Sequence, residues 1–182
     1  MPKYAAFLRG INVSNRRAKS ADLCSPLQAL GFEDVETFRA SRNVVFAASR
    51  EPLAKLTARM ETALEASLGY DVAVFLRSAK EVRDIAGHEP FPAKWVEASE
   101  GKLQISMLLK LPPAKQREAV LALATDEDRL AFGARELYWL PSGGMSESEL
   151  DLKEIDRLVG VATRRTMGTL EQMATKYFDF AA

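Results

Sequence analysis

The chain has 182 residues, of which 47% are hydrophobic and 27% are charged, and 25 basic residues balance 25 acidic ones. This composition is typical of globular proteins and excludes disordered, collagen-like and coiled-coil chains. One cysteine, Cys24, and one histidine, His88, exclude an internal disulfide and a zinc site made of Cys and His ligands. No apolar run approaches the roughly 20 residues that cross a bilayer, and the N-terminus resembles a strand rather than a signal peptide. We therefore expect a soluble cytoplasmic protein without metal, cofactor or membrane partner.

The zero net charge hides an uneven distribution along the chain. Residues 1–50 contain eight basic and four acidic residues, a local net charge of +4, so the remaining residues carry −4. Within the remainder, the stretch 147–156 holds five acids and one lysine. Charges scattered over a solvated surface are the favoured interpretation, and a polarised molecule with a local basic site is the alternative.

The first half of the chain predicts six elements. A helix with Leu23 and Leu27 on its apolar face contains Pro26, which either kinks that helix or starts a shorter one capped by Ser25. The elements in chain order are a strand at 4–9, this helix ending at 31, strands at 35–40 and 44–48 joined by a hairpin-like connection at 41–43, a helix at 52–69 and a strand at 72–76. This β-α-β-β-α-β order is the ferredoxin-like pattern, in which two helices cover one face of an antiparallel sheet.

The second half of the chain predicts the same order of elements again, up to its second helix. A connecting helix at 78–86, with Ser78 as its cap and Glu81 three residues on, and an irregular stretch precede it. The later elements are a strand at 103–109, a helix behind Pro112 and Pro113, a hairpin of strands at 129–132 and 136–140, an amphipathic helix at 150–159 and a last helix at 168–178. We therefore predict an α+β protein of duplicated ferredoxin-like units, with antiparallel sheets and helices on one face of each. The predicted domains are 1–77 and 103–182, joined by a linker at 78–102.

Common catalytic and phosphate-binding motifs are absent from the sequence. Cys24 has no base beside it in the sequence and is interpreted as a buried, inert thiol, and His88 as a loop or helix-end residue. The pair Gly143 and Gly144 is interpreted as a plain loop, because a phosphate cradle needs several convergent amides. The acids of 147–156 are interpreted as the solvated face of a helix rather than a cation site.

Polar residues at the predicted strand ends are the stronger candidates. Arginine forks and asparagine amides suit a phosphate or carboxylate, which arginine binds with two parallel hydrogen bonds. Whether these strand ends converge is left open by the topology, and anchoring of loops by Arg9 and Asn12 is an equally weighted alternative. The ligand-binding candidates from the residues alone are Arg9, Asn12, Arg16, Arg17, Arg42, Asn43 and Arg165, with Lys19 in the first loop.

Several segments resemble the family known as domain of unknown function 1697. They are the run from Tyr4 through Leu8-Arg9-Gly10-Ile11-Asn12-Val13, Leu30-Gly31-Phe32, Asn43-Val44-Val45-Phe46, Tyr138-Trp139-Leu140-Pro141 and residues 163–170. The resemblance implies a duplicated α+β protein of bacterial type with no established activity or cofactor. It also adds Thr163 to the candidates, since the family's T-x-R-N-W-N-T motif aligns with residues 163–169 and keeps Thr163 and Arg165.

Three of the family's four polar motifs are altered in this chain. Arg42 replaces a glycine, an acidic stretch at 143–148 replaces a basic one, and the Asn-Trp-Asn of the last motif is lost. A binding module for a small oxyanionic ligand is the favoured function, with nucleic acid as a minority option because only Phe46 is offered for base stacking on the third strand. Alternatives are a homodimer or other self-association through a sheet edge, and an enzyme using a carboxylate in a cleft between the halves.

Overall fold

The computed structural model describes residues 1–40 and 42–181, and over these residues it divides into two compact units. Unit 1 comprises residues 1–84 and 173–182, and unit 2 comprises residues 85–172. The elements that begin in unit 1 are β1 (Lys3–Arg9), α1 (Ser20–Ala29), β2 (Glu33–Phe38), β3 (Asn43–Ala47), α2 (Leu53–Leu68), β4 (Ala73–Ser78) and α3 (Ala79–Ala86). Those that begin in unit 2 are α4 (Ala93–Ala98), β5 (Gln104–Leu108), α5 (Ala114–Leu121), β6 (Asp128–Phe132), β7 (Glu136–Pro141), α6 (Leu152–Val159), β8 (Ala162–Thr166) and α7 (Met167–Tyr177).

The sheet of unit 1 is antiparallel and has the strand order β2-β3-β1-β4. Alternate residues of β1, such as Ala6 and Leu8, face the core with Leu23 of α1 and Met60 of α2. This follows from the period of two in a strand, which places every second side chain on the helix-covered face. The predicted ferredoxin-like order is confirmed in this unit.

Helix α1 runs through Pro26 instead of starting there. The proline has no N–H to donate to the carbonyl of Asp22, four residues earlier. The hydroxyl of Ser67 on α2 replaces this donor, because it donates to the Asp22 carbonyl at 3.3 Å. A neighbouring helix thus offsets the cost of an interior proline, and this decides between the two interpretations that the sequence left open.

The sheet of unit 2 repeats the topology, with the order β6-β7-β5-β8. Its core joins Val120 of α5 and Ile155 of α6 to the sheet residues Leu137 and Trp139. The order of elements after β5 matches the order after β1, so the predicted duplication is confirmed. The units differ in the second helix, which has 16 residues in α2 and 8 in α6.

Two segments differ from the element prediction. The predicted irregular stretch contains the short helix α4, and the sequence analysis placed no strand where β8 lies. The sequence of β8, Ala-Thr-Arg-Arg-Thr, lacks the apolar alternation that marks a half-buried strand. Pairing with β5 along five residues makes it a strand. Ser41, part of the predicted connection at 41–43, lies outside the described residues.

The passage from unit 1 to unit 2 falls at residues 84–85, inside the predicted linker 78–102. The predicted connecting helix is present as α3. Its N-terminal cap is also present, because the Ser78 hydroxyl accepts from the Glu81 amide at 3.3 Å and the Ser78 amide donates to the Glu81 carboxylate at 2.8 Å. Residues 173–181 group with unit 1 rather than with unit 2. No helix of the described residues has both the length and the apolar character needed to cross a membrane.

Candidate functional site

The register between β1 and β3 brings two polar segments to one end of the unit 1 sheet. Phe7 lies opposite Asn43 in the antiparallel pair. The Leu8 amide donates to the Arg42 carbonyl at 2.9 Å, one step beyond the last paired residue. The end of β1 and the start of β3 are therefore neighbours, and Arg9 and Arg42 belong to the same edge. The sequence left this convergence open because it depends on strand pairing.

Asn12 joins the loop after β1 to the turn before β3. Its Nδ2 donates to the Ala40 carbonyl at 3.2 Å, and its Oδ1 accepts from the Ala18 amide at 3.0 Å. Both ends of the side-chain amide are thus bonded to backbone groups. Asn12 anchors the two loops to each other, which is one of the two roles that the sequence analysis considered for it.

Asn43 is 1% exposed and closes the turn between β2 and β3. Its Nδ2 donates to the Phe38 carbonyl at 2.8 Å, which ties the end of β2 to the start of β3. A buried amide requires such partners, because an unsatisfied donor in the interior costs about 1–3 kcal/mol. Asn43 therefore also supports the geometry of this edge.

The two loops carry an unusual amount of left-handed backbone. Asn12 has φ 55° and Ser14 φ 51° in the first loop, and Arg39 has φ 52° and Ala40 φ 55° in the second. Residues with a Cβ rarely adopt this region, and they do so where the surrounding structure holds them. The hydrogen bond from Asn12 to Ala40 links two of these residues directly. The sequence did not single out Arg39 or Ala40, since neither is a typical left-handed residue.

We call the loop after β1 and the turn between β2 and β3 the basic edge, comprising residues 9–19, 39–40 and 42–43. Arg16 lies with its guanidinium 4.6 Å from the centre of the Tyr70 ring, a cation–π geometry that holds its stem against the surface. The cationic residues of the basic edge are all exposed, and they are Arg9, Arg16, Arg17, Lys19, Arg39 and Arg42.

The other two predicted ligand residues lie in unit 2. Thr163 and Arg165 are 6% and 7% exposed and point from the same face of β8. Arg165 Nη1 donates to the Thr163 hydroxyl at 2.9 Å and to the Arg164 carbonyl at 2.7 Å. These bonds hold a buried guanidinium within its own strand.

A feature that the sequence analysis did not anticipate lies beside β6 and β7 in unit 2. The Gly143-Gly144 segment, interpreted there as a plain loop, forms one wall of a cavity of about 400 Å³. Glu147 and Glu149, interpreted as a solvated helix face, precede α6 and line the same cavity. The sequence could not signal this cavity, because its lining residues come from three separate segments.

Cys24 lies in unit 1 and His88 in unit 2. Cys24 is a half-buried free thiol, and its Sγ lies 3.8 Å from the Ser20 hydroxyl. His88 is exposed, with its ring 5.0 Å from the Tyr138 ring. Across residues 1–40 and 42–181, no three His, Cys, Asp or Glu side chains are grouped closely enough to hold a metal ion.

The fold and these sites define a duplicated α+β protein whose two units repeat one antiparallel topology. The chain belongs to the family described as "Protein of unknown function (DUF1697)", whose model matches residues 1–138. The match includes the basic edge and ends before the acidic stretch and Arg165.

A comparison with solved structures extends the likeness to the whole chain. The conserved bacterial protein SP0830 from Streptococcus pneumoniae has the same fold, with a TM-score of 0.73 and 24% sequence identity. The similarity covers 97% of this chain and 98% of that one. A search of curated proteins found no match.

Proposed function

We propose that the protein is a binding module for a small ligand that carries an oxyanion, such as a phosphate group, and that the ligand docks on the basic edge of unit 1. The observation that carries this proposal is the strand register that joins the end of β1 to the start of β3, together with the bond from Asn12 to Ala40. Two loops with six exposed cationic residues then share one end of one sheet.

Arginines supply most of the recognition in this proposal. Arg9, Arg16, Arg17 and Arg42 offer guanidinium groups, and each such group can bind a phosphate oxygen pair with two parallel hydrogen bonds. Charge-assisted hydrogen bonds of this kind contribute about 1.5–3 kcal/mol each. Several cations within about one Debye length, roughly 8 Å at physiological salt, also reinforce one another in attracting an anion.

Asn12 and Asn43 have positioning roles in this proposal rather than contacts with the ligand. Their amide groups already bond to the carbonyls of Ala40 and Phe38. The bonds hold the two loops in one arrangement before the ligand arrives, which reduces the ordering cost of binding. Thr163 and Arg165, which bond to each other in unit 2, are not part of the proposed site.

A small ligand is preferred to a nucleic acid because the stacking platform is missing from β3. Phe46 is fully buried and stacks on Tyr4 and Phe32 at 5.7 and 4.7 Å between ring centres. Recognition of single-stranded RNA on a sheet needs aromatic rings that are accessible to bases. Phe46 is buried in the core instead, so its ring is not accessible to a base.

Self-association is ranked below binding because of the edge strand β2. Its pairing with β3 shifts register between Glu33 and Glu36, and Asp34 between them has φ 50°. Bulges and charged residues are the features that discourage an edge strand from pairing with another chain. The strand is therefore a poor surface for extending the sheet.

The test is a calorimetric titration with inorganic phosphate and with pyrophosphate at about 50 mM salt, where electrostatic binding is least screened. We expect the affinity for pyrophosphate to fall about tenfold in Arg16→Gln and in Arg42→Gln, which corresponds to about 1.4 kcal/mol. Arg50→Gln is the matched control, since Arg50 is exposed and follows β3 at the opposite end of the sheet.

Equal losses in all three variants would mean that only net charge matters, and the proposal would then be wrong. The proposal is also wrong if neither anion binds the wild-type protein at concentrations up to about 10 mM, a Kd that corresponds to only about 3 kcal/mol of binding free energy.

A further inference from the structure

Unit 2 has a second, smaller cavity beside the cavity of about 400 Å³ described above. Its volume is about 130 Å³. Arg129 of β6 lines it on one side, and Trp95 of α4 with Leu140 and Pro141 of β7 gives it an apolar wall. Sites for drug-sized ligands usually measure about 300–1,000 Å³. This cavity therefore has room only for a molecule of few atoms.

Arg129 presents a charged group that its own neighbours do not use. Its guanidinium lies 3.7 Å from the centre of the Trp95 ring, and this cation–π contact holds it in place. Within residues 1–40 and 42–181, the guanidinium has no hydrogen bond and no ion pair. Stacking uses the face of the group, so the N–H fork along its edge stays available. A carboxylate that enters the cavity can accept two parallel hydrogen bonds from this fork.

The helix that carries the aromatic ring is tied to the strand beside it. The Ser99 hydroxyl, directly behind α4, donates to the Pro141 carbonyl at the end of β7. The next residue, Glu100, donates its amide to the Ser142 carbonyl at 2.8 Å. The stacked pair is therefore arranged before a ligand arrives, which lowers the ordering cost of binding.

Opposite charges line this cavity without pairing with each other. The carboxylates of Asp126 and Glu127 share the cavity with the Arg129 guanidinium, yet no ion pair joins them in the part of the chain that the structure describes. The Ser142 hydroxyl donates to Glu127, whereas the Asp126 carboxylate has no partner among the described residues. The two acids repel a simple anion, and the arginine repels a simple cation. A zwitterion finds a partner for each of its charges.

We propose that this cavity binds a free α-amino acid with a small apolar side chain. The carboxylate of the amino acid accepts from the Arg129 fork, and its ammonium group donates to Asp126. Its side chain packs against the apolar wall that Leu140 and Pro141 provide. The cavity belongs to unit 2 and the basic edge to unit 1, so this proposal is independent of the proposed function above.

The experiment follows the binding of L-alanine to the full-length protein by calorimetry and by nuclear magnetic resonance of the indole N–H groups. The chain has two tryptophans and hence two such signals, which Trp95→Phe assigns by removing one. We expect L-alanine to bind with a Kd of about 1 mM or below and to shift the Trp95 signal. Trp139 does not line this cavity and donates to Asp128, so its signal is the internal reference.

Two analogues of L-alanine test whether both charges are recognised. Propionate lacks the ammonium group and ethylamine lacks the carboxylate, while both keep the methyl group. We expect each to bind at least about tenfold more weakly than L-alanine at the same ionic strength. Equal binding of propionate would indicate a plain anion site, and equal binding of ethylamine a plain cation site. Either result would overturn the proposal.

Two substitutions locate the site. Arg129→Gln removes the charged fork. Asp126→Asn removes a carboxylate at an exposed position before β6, so it remains informative if Arg129→Gln fails to fold. We expect each to weaken L-alanine binding about tenfold. Arg157→Gln is the matched control and should bind as the wild type does, since Arg157 is an exposed arginine of α6 that does not line the cavity.

The proposal is overturned if L-alanine does not bind the wild-type protein at concentrations up to about 10 mM, or if Arg129→Gln and Asp126→Asn bind it as Arg157→Gln does. Binding that leaves the Trp95 signal unchanged would also overturn it, because the ligand would then lie elsewhere. None of these outcomes affects the pyrophosphate titrations on the basic edge, which use different variants and a different ligand.

Discussion

Arg77 and Arg165 occupy the same position in the two units. Arg77 on β4 lies opposite Ala5, and Arg165 on β8 lies opposite Ile105, each on the first strand of its unit. Both are buried, at 0% and 7% exposure. In each case Nη1 donates to the carbonyl of the preceding residue, at 3.0 Å for Arg77 and 2.7 Å for Arg165. The duplication thus extends to the conformation of a buried arginine.

Two further pairs follow the same correspondence. The Leu8 amide donates to the Arg42 carbonyl, and the Leu108 amide donates to the Arg135 carbonyl, both at 2.9 Å. The helix after the last strand of each unit is capped by a hydroxyl, which belongs to Ser78 before α3 and to Thr166 before α7. The first pair joins a leucine to an arginine in both units. The caps use different residue types, a serine and a threonine, so this equivalence is not visible as sequence identity.

The buried arginines should contribute to stability to a similar degree. Substitution of Arg77 by Ala removes a fully buried side chain and leaves the Leu76 carbonyl without the bond from Nη1. We expect the free energy of unfolding to fall by about 2–4 kcal/mol. Arg165→Ala should cost a comparable amount, measured by urea denaturation. Arg50→Ala, an exposed control, should change it by less than about 0.5 kcal/mol, and a similar loss there would contradict the prediction.

A pair of serine substitutions tests the cap of α3. Ser78→Ala removes the hydroxyl that accepts from the Glu81 amide, so we expect a loss of about 1 kcal/mol in thermal or urea unfolding. Ser25 lies inside α1, where alanine has the higher helix propensity. Ser25→Ala should therefore be neutral or slightly stabilising. A loss at Ser25 equal to that at Ser78 would support the shorter helix beginning at Pro26.

The C-terminal end of α7 should make the stability of unit 1 depend on pH. Lys176 Nζ donates to Glu36 at 2.8 Å and the Tyr177 hydroxyl donates to the same oxygen, and these bonds hold the pKa of Glu36 below its ordinary value of 4.5. The hydrogen bond to Glu36 likewise raises the pKa of Lys176 above 10.5. The contact therefore contributes its full stabilisation between about pH 4.5 and pH 10.5, the ordinary pKa values of the two groups. Its contribution is lost as the pH falls through the lowered pKa of Glu36 or rises through the raised pKa of Lys176.

The measurement is the difference in melting temperature between the wild-type protein and Glu36→Gln as a function of pH. We expect the wild type to melt higher at neutral pH, and we expect the difference to shrink below about pH 4.5 and in high salt. Glu33→Gln on the same strand is the control, because Glu33 is an exposed acid of β2. A difference that persists unchanged at pH 3 would refute the assignment.

Substitution of Gly10 tests whether the backbone conformation of the basic edge is required for stability and for binding. Gly10 has φ +89°, and a Cβ there would lie 3.2 Å from the Asp71 carbonyl oxygen. Gly10→Ala should destabilise the protein by about 1–2 kcal/mol and should weaken pyrophosphate binding by altering the loop. Gly168 in the first turn of α7 has open space around it, so Gly168→Ala should be neutral or stabilising by up to about 1 kcal/mol. Unfolding curves and pyrophosphate titrations of both variants measure these effects. Equal stability and equal affinity in the two variants would contradict the prediction.

The order of elements was predictable because most segments carry their own signal. The leucine spacing of α2 and Gly69 behind it specify a helix with its end, and Gly69 adopts φ 76° there. The strand β8 lacked such a signal, since Arg164 and Arg165 are residues of a type usually found at the surface. Burial lowers the pKa of Arg164, whose guanidinium lies 5.1 Å from the centre of the Trp139 ring. Contacts with neighbouring strands, and not a pattern in its own residues, therefore make this segment a strand.

The sequence by itself determined the family, the duplicated α+β order and the excess of cations in the first fifty residues, because composition and local periodicity encode these properties. Tertiary structure alone decided that Arg9 and Arg42 share one edge, since strand register brings together residues that are 33 positions apart. It also decided that Asn12 holds loops together, and that Asp128 and Glu149 line one cavity. Pairing and packing join segments that are distant in the chain, and no local pattern records which segments will meet.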